Sequence, residues 1–246
     1  MPPARGASDP KLTALLQRAS ALMPEFCAAI GDWRRGSDPG GIGPRGMFFF
    51  YLAVRPFAPR QILESGRMRG GSTLMLARCF PEARIVSVEL DRDAAHAAVA
   101  ESRLQSYRNV ELLFGDSRDI LPKRLERGDA VLIDGPKGFR ALKLALQLLR
   151  TGKPCAILIH DFYPREPARQ FLERSWPNAV FSDDPAFTPH FRELNARIGR
   201  DPDSKHSVSP FVCLPPSLPA ASQLLWWRIV SARAASRVRQ FFGFRR

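Results

Sequence analysis

Between residues 61 and 160, short apolar runs alternate with longer stretches of helical periodicity, and this constrains the fold more than any other feature of the chain. The apolar runs are QILES (61–65), RIVSVEL (84–90), NVELLFG (109–115), AVLID (130–134) and CAILIH (155–160). Helical segments near 72–80, 92–106, 117–126 and 138–150 separate them. Runs this apolar leave no wet face, which suits a mostly parallel sheet covered by helices on both sides. The reading is a doubly wound α/β fold. Right-handed crossovers then bring every strand's C-terminal end to one edge, where such sheets hold ligands.

The flanks read less sharply. Residues 1–10 look loose, and apolar positions recur at helical spacing from Lys11 to Trp33. A Gly- and Pro-rich connection (34–46) leads into MFFFYLAVRPF, a short buried helix. Beyond Phe162, EPARQFLERSW and FRELNARIG read as helices, NAVFSD as a strand, and SVSPFVCLPP as a return to the sheet edge. The expected division is a helical N-terminal cap (1–60), an α/β domain (61–215) and a basic amphipathic C-terminal helix (216–246). In that last helix Trp227, Val230, Ala234, Val238 and Phe241 form one apolar stripe, with Arg228, Arg233, Arg237 and Arg239 across from it. Docking on the chain's own core is the expected role of the stripe, and peripheral membrane contact is the alternative.

The formal net charge is +13, and residues 205–246 hold seven Lys or Arg and no acid. An acidic partner for the tail is one reading and plain solubility the other. Four well-separated cysteines, without a CxxC pair, point to buried thiols in a reducing compartment. With no secretory pattern at the N-terminus and no run of eighteen apolar residues, a cytoplasmic location is expected.

The strand ends carry the chemistry. The first ends in Glu64, followed by a turn through Gly66, Gly70 and Gly71 into Ser72 and Thr73. Bare backbone there can turn sharply and approach a ligand closely. Glu89 ends the second run, about twenty residues on, where a carboxylate can accept both ribose hydroxyl protons. Asp116 and Ser117 follow the third, at the place of an adenine amino group, and Asp116 also suits a helix N-cap. Asp134 and Lys137 follow the fourth, and His160 and Asp161 end the fifth. His96 reads as a surface histidine. A dinucleotide site needs helix amides aimed at a pyrophosphate and a three-glycine fingerprint, which is missing here. An acid-lined edge suits a cationic ligand instead.

On these residues, across about 45–165, the chain resembles the class I S-adenosylmethionine-dependent methyltransferases, in particular a bacterial branch of small-molecule and sugar O-methyltransferases. Glu64, Gly66 and Gly70 match the family pattern, and Met68 stands where it has its middle glycine. The resemblance implies a Rossmann-like methyltransferase fold. It also implies Glu64, Gly66, Gly70 and Ser72 around the methionine moiety, Glu89 at the ribose, and Asp116 with Ser117 at the adenine. Asp134 would face the methionine amino group or the substrate.

Methyl transfer to a hydroxyl requires alignment and removal of a proton. The candidates are Asp134, Lys137, His160 and Asp161. One route uses His160 or Asp161 as the base; the other places Mg²⁺ on Asp134 and Asp161. Catechol-type relatives follow the second acid with Asn, where Phe162 stands here, and this disfavours the metal. The acceptor is expected to be a small molecule or glycan. DGPK replaces the Asn–Pro–Pro–aromatic motif of base-modifying enzymes, so nucleic acid is not expected. The rival reading is a non-catalytic binding or scaffold protein of this fold, held to a membrane or acidic partner by its tail.

Overall fold

The computed structural model describes residues 10–31, 41–176, 178–203, 209–214 and 227–234. Expectations for residues 1–9, most of the 34–46 connection, and Arg237, Val238, Arg239 and Phe241 lie outside the described residues. In chain order the elements are α1 (Pro10–Ile30), α2 (Pro44–Val54), β1 (Gln61–Ser65), α3 (Gly71–Cys79), β2 (Arg84–Glu89), α4 (Ala95–Leu104) and β3 (Val110–Phe114). They continue as α5 (Ser117–Arg124), β4 (Ala130–Ile133), α6 (Phe139–Leu149), β5 (Ala156–Ile159), α7 (Pro167–Ser175), β6 (Val180–Phe181), α8 (Thr188–Arg197) and β7 (Val212–Leu214). Residues 227–234 are also helical.

The strands form a seven-stranded sheet of order β3-β2-β1-β4-β5-β7-β6. β1 to β5 are parallel, whereas β7 runs antiparallel between β5 and β6. Strand order reverses between β1 and β4, and this switch point opens a crevice at their C-terminal ends.

Alternate residues of each central strand enter opposite apolar layers, which is why the runs are apolar throughout. Ile62, Ile85, Leu132 and Leu158 join α1, α2, α3 and α8 on one face. Leu63, Val86, Val131, Ile133, Ile157 and Ile159 join α5, α6 and α7 on the other. The MFFFY run is explained by its position: Met47 through Tyr51 of α2 are each 0% exposed. Phe48 packs on Phe26 of α1, and Phe49 meets Phe187 edge-on. The N-terminal helices are therefore part of a sheet-covering layer and share its core. Burying each phenyl ring contributes about 1.5–3 kcal/mol.

The helix at 227–234 differs from expectation. Ile229, only 2% exposed, packs against the second layer with Ala232 beside it. Trp227 and Val230 of the expected docking stripe face outward, at 67% and 37% exposure. One well-packed Ile supplies the anchor, and the stripe lies on the opposite side of the helix.

Candidate functional site

The turn after β1 runs through three left-handed residues, Gly66 (φ 82°), Met68 (φ 50°) and Gly70 (φ 75°). A Cβ on Gly66 would come 2.8 Å from the Gly135 amide, so the turns after β1 and β4 meet as bare backbone. Met68 adopts a left-handed conformation that glycine would take without strain, at a cost of about 1–2 kcal/mol. The turn is stapled to its neighbours. The Met68 N–H donates to Glu89 Oε2 and the Leu90 N–H to Glu89 Oε1, both at 2.8 Å. Two backbone donors thus fix the Glu89 carboxylate at the end of β2.

Over these strand ends lies a pocket of about 270 Å³. Its walls include Ser65, Gly66, Glu89, Asp116, Ser117 and Gly135, with Leu90, Pro136, Arg118 and Arg140 around them. Gly66, Glu89, Asp116 and Ser117 are therefore brought together as the sequence suggested. Asp116 caps α5 by accepting from the Arg118 N–H, and it also pairs with the Arg118 guanidinium. That pairing holds its carboxyl below the usual carboxylate range, outweighing the smaller effect of burial.

Glu64, Gly70 and Ser72, expected around the same ligand, are not wall residues of this pocket. Glu64 is 0% exposed because it points into a nest of hydroxyls. Its Oε2 accepts from Thr73 Oγ1 and, at 2.6 Å, from Ser87 Oγ, while its Oε1 is buried without a partner. Burial pushes its carboxyl up, against the opposing hydroxyls of Ser72, Ser87 and Thr73. Glu64 and Ser72 thus support the turn from within.

Sequence reasoning missed Arg67. Although it sits in a glycine-rich turn, it is only 2% exposed. Its Nη1 donates to the carbonyls of Ser87 (3.0 Å) and Leu113 (2.8 Å), and its guanidinium lies 4.4 Å over the Phe114 ring. Nε and Nη2 are buried without partners, and burial lowers its pKa, opposed by Glu64, Glu89 and Glu101. One long side chain thereby ties the turn to β2 and β3. An Arg between Gly66 and Met68 in a glycine-rich turn carries no signal of burial. His96 is half-buried at the surface, with Nε2 3.9 Å from Glu89 Oε2.

The second half of the edge gathers Asp134, Lys137, His160 and Asp161, the four residues singled out for chemistry. The Lys137 ammonium bridges the carboxylates of Asp134 and Asp161. His160 Nδ1 lies 2.6 Å from Asp134 Oδ1 and 3.6 Å from Asp161 Oδ1. The imidazole is 6% exposed and packs on the Phe211 ring, 4.7 Å between centroids. Phe211 directly precedes β7, so the antiparallel return positions the histidine. Asp161 reaches the cluster from a left-handed backbone (φ 60°), which Asp tolerates better than most residues.

Burial opposes the charges of Asp134, Lys137 and Asp161, yet the partners prevail. Asp134 is held below the usual carboxylate range by His160 and Lys137, and Asp161 by the same two. Lys137 is raised by Asp134 and Asp161. Donor atoms of Asp134, His160 and Asp161 lie within 4.8 Å of one another, close enough for a shared cation.

Residues 63–162 match a family model described as a methyltransferase domain. A catechol O-methyltransferase of Niastella koreensis is 31% identical over 121 residues, covering 45% of this chain and 54% of that protein. A transmembrane O-methyltransferase of Homo sapiens is 42% identical over 90 residues, covering 32% of this chain and 30% of that protein. The matched part is thus about half, or less, of the length of these relatives. Among solved structures, a SAM-dependent O-methyltransferase from Thermotoga maritima superposes with a TM-score of 0.52 at 13% identity, covering 82% of this chain and 71% of that one. That similarity supports the fold. Among the described residues no helix is long and apolar enough to cross a membrane.

Proposed function

We propose that the chain transfers a methyl group from S-adenosylmethionine to a hydroxyl oxygen of a small-molecule or glycan acceptor, a reading supported by the match of residues 63–162 to a methyltransferase-domain model. The observation that carries this reading is the junction of two unlike clusters at one switch point. A pocket edged by a backbone-fixed carboxylate adjoins a histidine that is paired with an aspartate.

The residues fit the cofactor. Glu89 keeps lone pairs for ribose hydroxyls while two amides hold it still. Leu90, 70% exposed on the pocket wall, offers an apolar surface to a purine ring. Ser117 and the Asp116–Arg118 pair supply polar groups at the wall. The buried, unpartnered Glu64 Oε1 is the acceptor expected of an acid that completes its hydrogen bonds through a bound ammonium or water. Bound S-adenosylmethionine supplies an electrophilic methyl group on a sulfonium. The protein's own task is to align the acceptor oxygen and take its proton.

Asp134 fixes His160 through Nδ1, which leaves Nε2 to accept the acceptor's proton. Asp134 and Asp161 hold Lys137 as an ammonium, so it cannot serve as the base in this arrangement. It instead provides positive charge for the developing oxyanion. Mg²⁺ is the second reading, favoured by the 4.8 Å grouping of Asp134, His160 and Asp161. A nitrogen ligand and the bridging ammonium both count against this hard, oxygen-seeking ion.

Incubation with methyl-labelled S-adenosylmethionine and a panel of phenolic and sugar hydroxyls tests both readings. Label on oxygen that persists in EDTA and falls in His160→Asn supports the protein base. Activity abolished by EDTA and restored by Mg²⁺ selects the metal. Tight cofactor binding without transfer to any acceptor supports the non-catalytic rival.

A further inference from the structure

The helix at 227–234 is apolar on two opposite sides. At about 100° per residue, Trp227, Val230 and Ala234 fall within about 60° of one another. Ile229 and Ala232 lie across the axis, and these two residues touch the protein. Trp227 at 67%, Val230 at 37% and an exposed Ala234 point away from it. Helical docking explains the inner side only. The outer side places an indole and a β-branched residue in water on a helix that needs neither for its own anchorage.

We propose that this outward face seats on an anionic phospholipid surface. Two features select that occupant. The first is charge: residues 204–246 contain seven Lys or Arg and no Asp or Glu, in a chain of net charge +13. A second copy would bring an equally basic tail against this one and be repelled. The second is the combination of chemistries. Nucleic acid would be met by the arginines, but it gives the Trp227–Val230–Ala234 stripe nothing to bury against. A lipid interface takes both, because Trp partitions to the headgroup boundary while Arg stems lie along it with their guanidiniums in the polar layer. Exposed Arg228 sits to one side of the stripe, in place for a lipid phosphate. The helix is short, so the contact is peripheral and reversible, and each basic residue near the surface strengthens it about fivefold. This inference stands apart from the methyltransferase reading and survives its failure.

The test uses the full chain and sedimentation with vesicles of phosphatidylcholine, either alone or rich in phosphatidylserine. The wild type is expected to pellet with the phosphatidylserine-rich vesicles, to pellet far less with phosphatidylcholine alone, and to be released as salt rises past about 0.1 M. Trp227→Ser/Val230→Asp should weaken partition about tenfold or more, with an unchanged melting curve because both side chains face outward. Arg228→Glu should weaken it through the salt-sensitive part alone. A wild type that stays in the supernatant overturns the proposal, as does a double variant that pellets equally. So does a light-scattering dimer that the double variant dissolves without any vesicle binding, an outcome that would assign the face to a second copy.

Discussion

The two halves of the strand edge hold their carboxylates in opposite ways. At the ends of β1 and β2, Glu64 and Glu89 are held by neutral donors: hydroxyls of Thr73 and Ser87 for one, backbone amides of Met68 and Leu90 for the other. At the ends of β4 and β5, Asp134 and Asp161 are held by Lys137 and His160. Neutral donors fix position without bringing an opposite charge, and burial raises the Glu64 carboxyl. Cationic partners neutralise the charge and place transferable protons beside it. The first arrangement suits recognition of ribose and a cationic cofactor, and the second suits proton removal. Asp116, after β3 on the far side of β2, combines the two: it is an N-cap that is also paired with an arginine.

The contrast can be broken most severely at Asp134. In Asp134→Asn the imidazole loses the carboxylate that orients it, so kcat should fall about 10²–10⁴-fold. The dissociation constant for S-adenosylhomocysteine should change far less. Parallel loss of both would merge the two halves into one binding site. Arg67→Met is expected to act on the other half. It unties the turn from the Ser87 and Leu113 carbonyls, and cofactor affinity should fall about tenfold as two charge-assisted hydrogen bonds are lost. Activity at saturating cofactor should persist, as a split of KM from kcat would reveal.

Lys137→Met probes the second half by pH. Asp134 and Asp161 have depressed folded pKa values, so their contribution is present above the ordinary carboxylate pKa and lost as pH falls through the folded values. Lys137 is raised, so its contribution holds below its ordinary pKa and is lost only above it, at strongly alkaline pH. The acid transition of the two carboxyls should therefore lie below the ordinary carboxylate range in the wild type. Without the ammonium both carboxyls move back up, and the acid transition should shift to higher pH. A melting-temperature series across pH checks this, and an unmoved acid limb would mean that Lys137 contributes little. The smallest effect is expected of Met68→Gly. Relief of left-handed strain is largely offset by glycine's extra backbone freedom, so the melting temperature should move by no more than about 2–4 °C with cofactor affinity retained.

The central sheet was legible because β1, β2, β4 and β5 are covered on both faces, and uniform apolarity bounded by helices admits few other folds. The four-residue cluster was legible for the same reason: strand ends are the best-determined points of such a pattern. Burial inside the turn was not. The hydroxyls of Thr73 and Ser87 draw Glu64 under the turn, a burial that the sequence pattern does not reveal. Arg67 was overlooked because charge in a glycine-rich segment ordinarily means exposure. The tail stripe was assigned inward because periodicity finds an apolar face without saying what covers it, and Ile229 took the inner place.

The most direct test is calorimetric titration of the full chain with S-adenosylhomocysteine beside Glu89→Ala. The expected result is binding in the micromolar range by the wild type, weakened about 10- to 100-fold in the variant by the loss of charge-assisted hydrogen bonds to the ribose. Equal affinity in the two proteins, or no binding by a folded wild type, would contradict the assignment of this strand edge to S-adenosylmethionine.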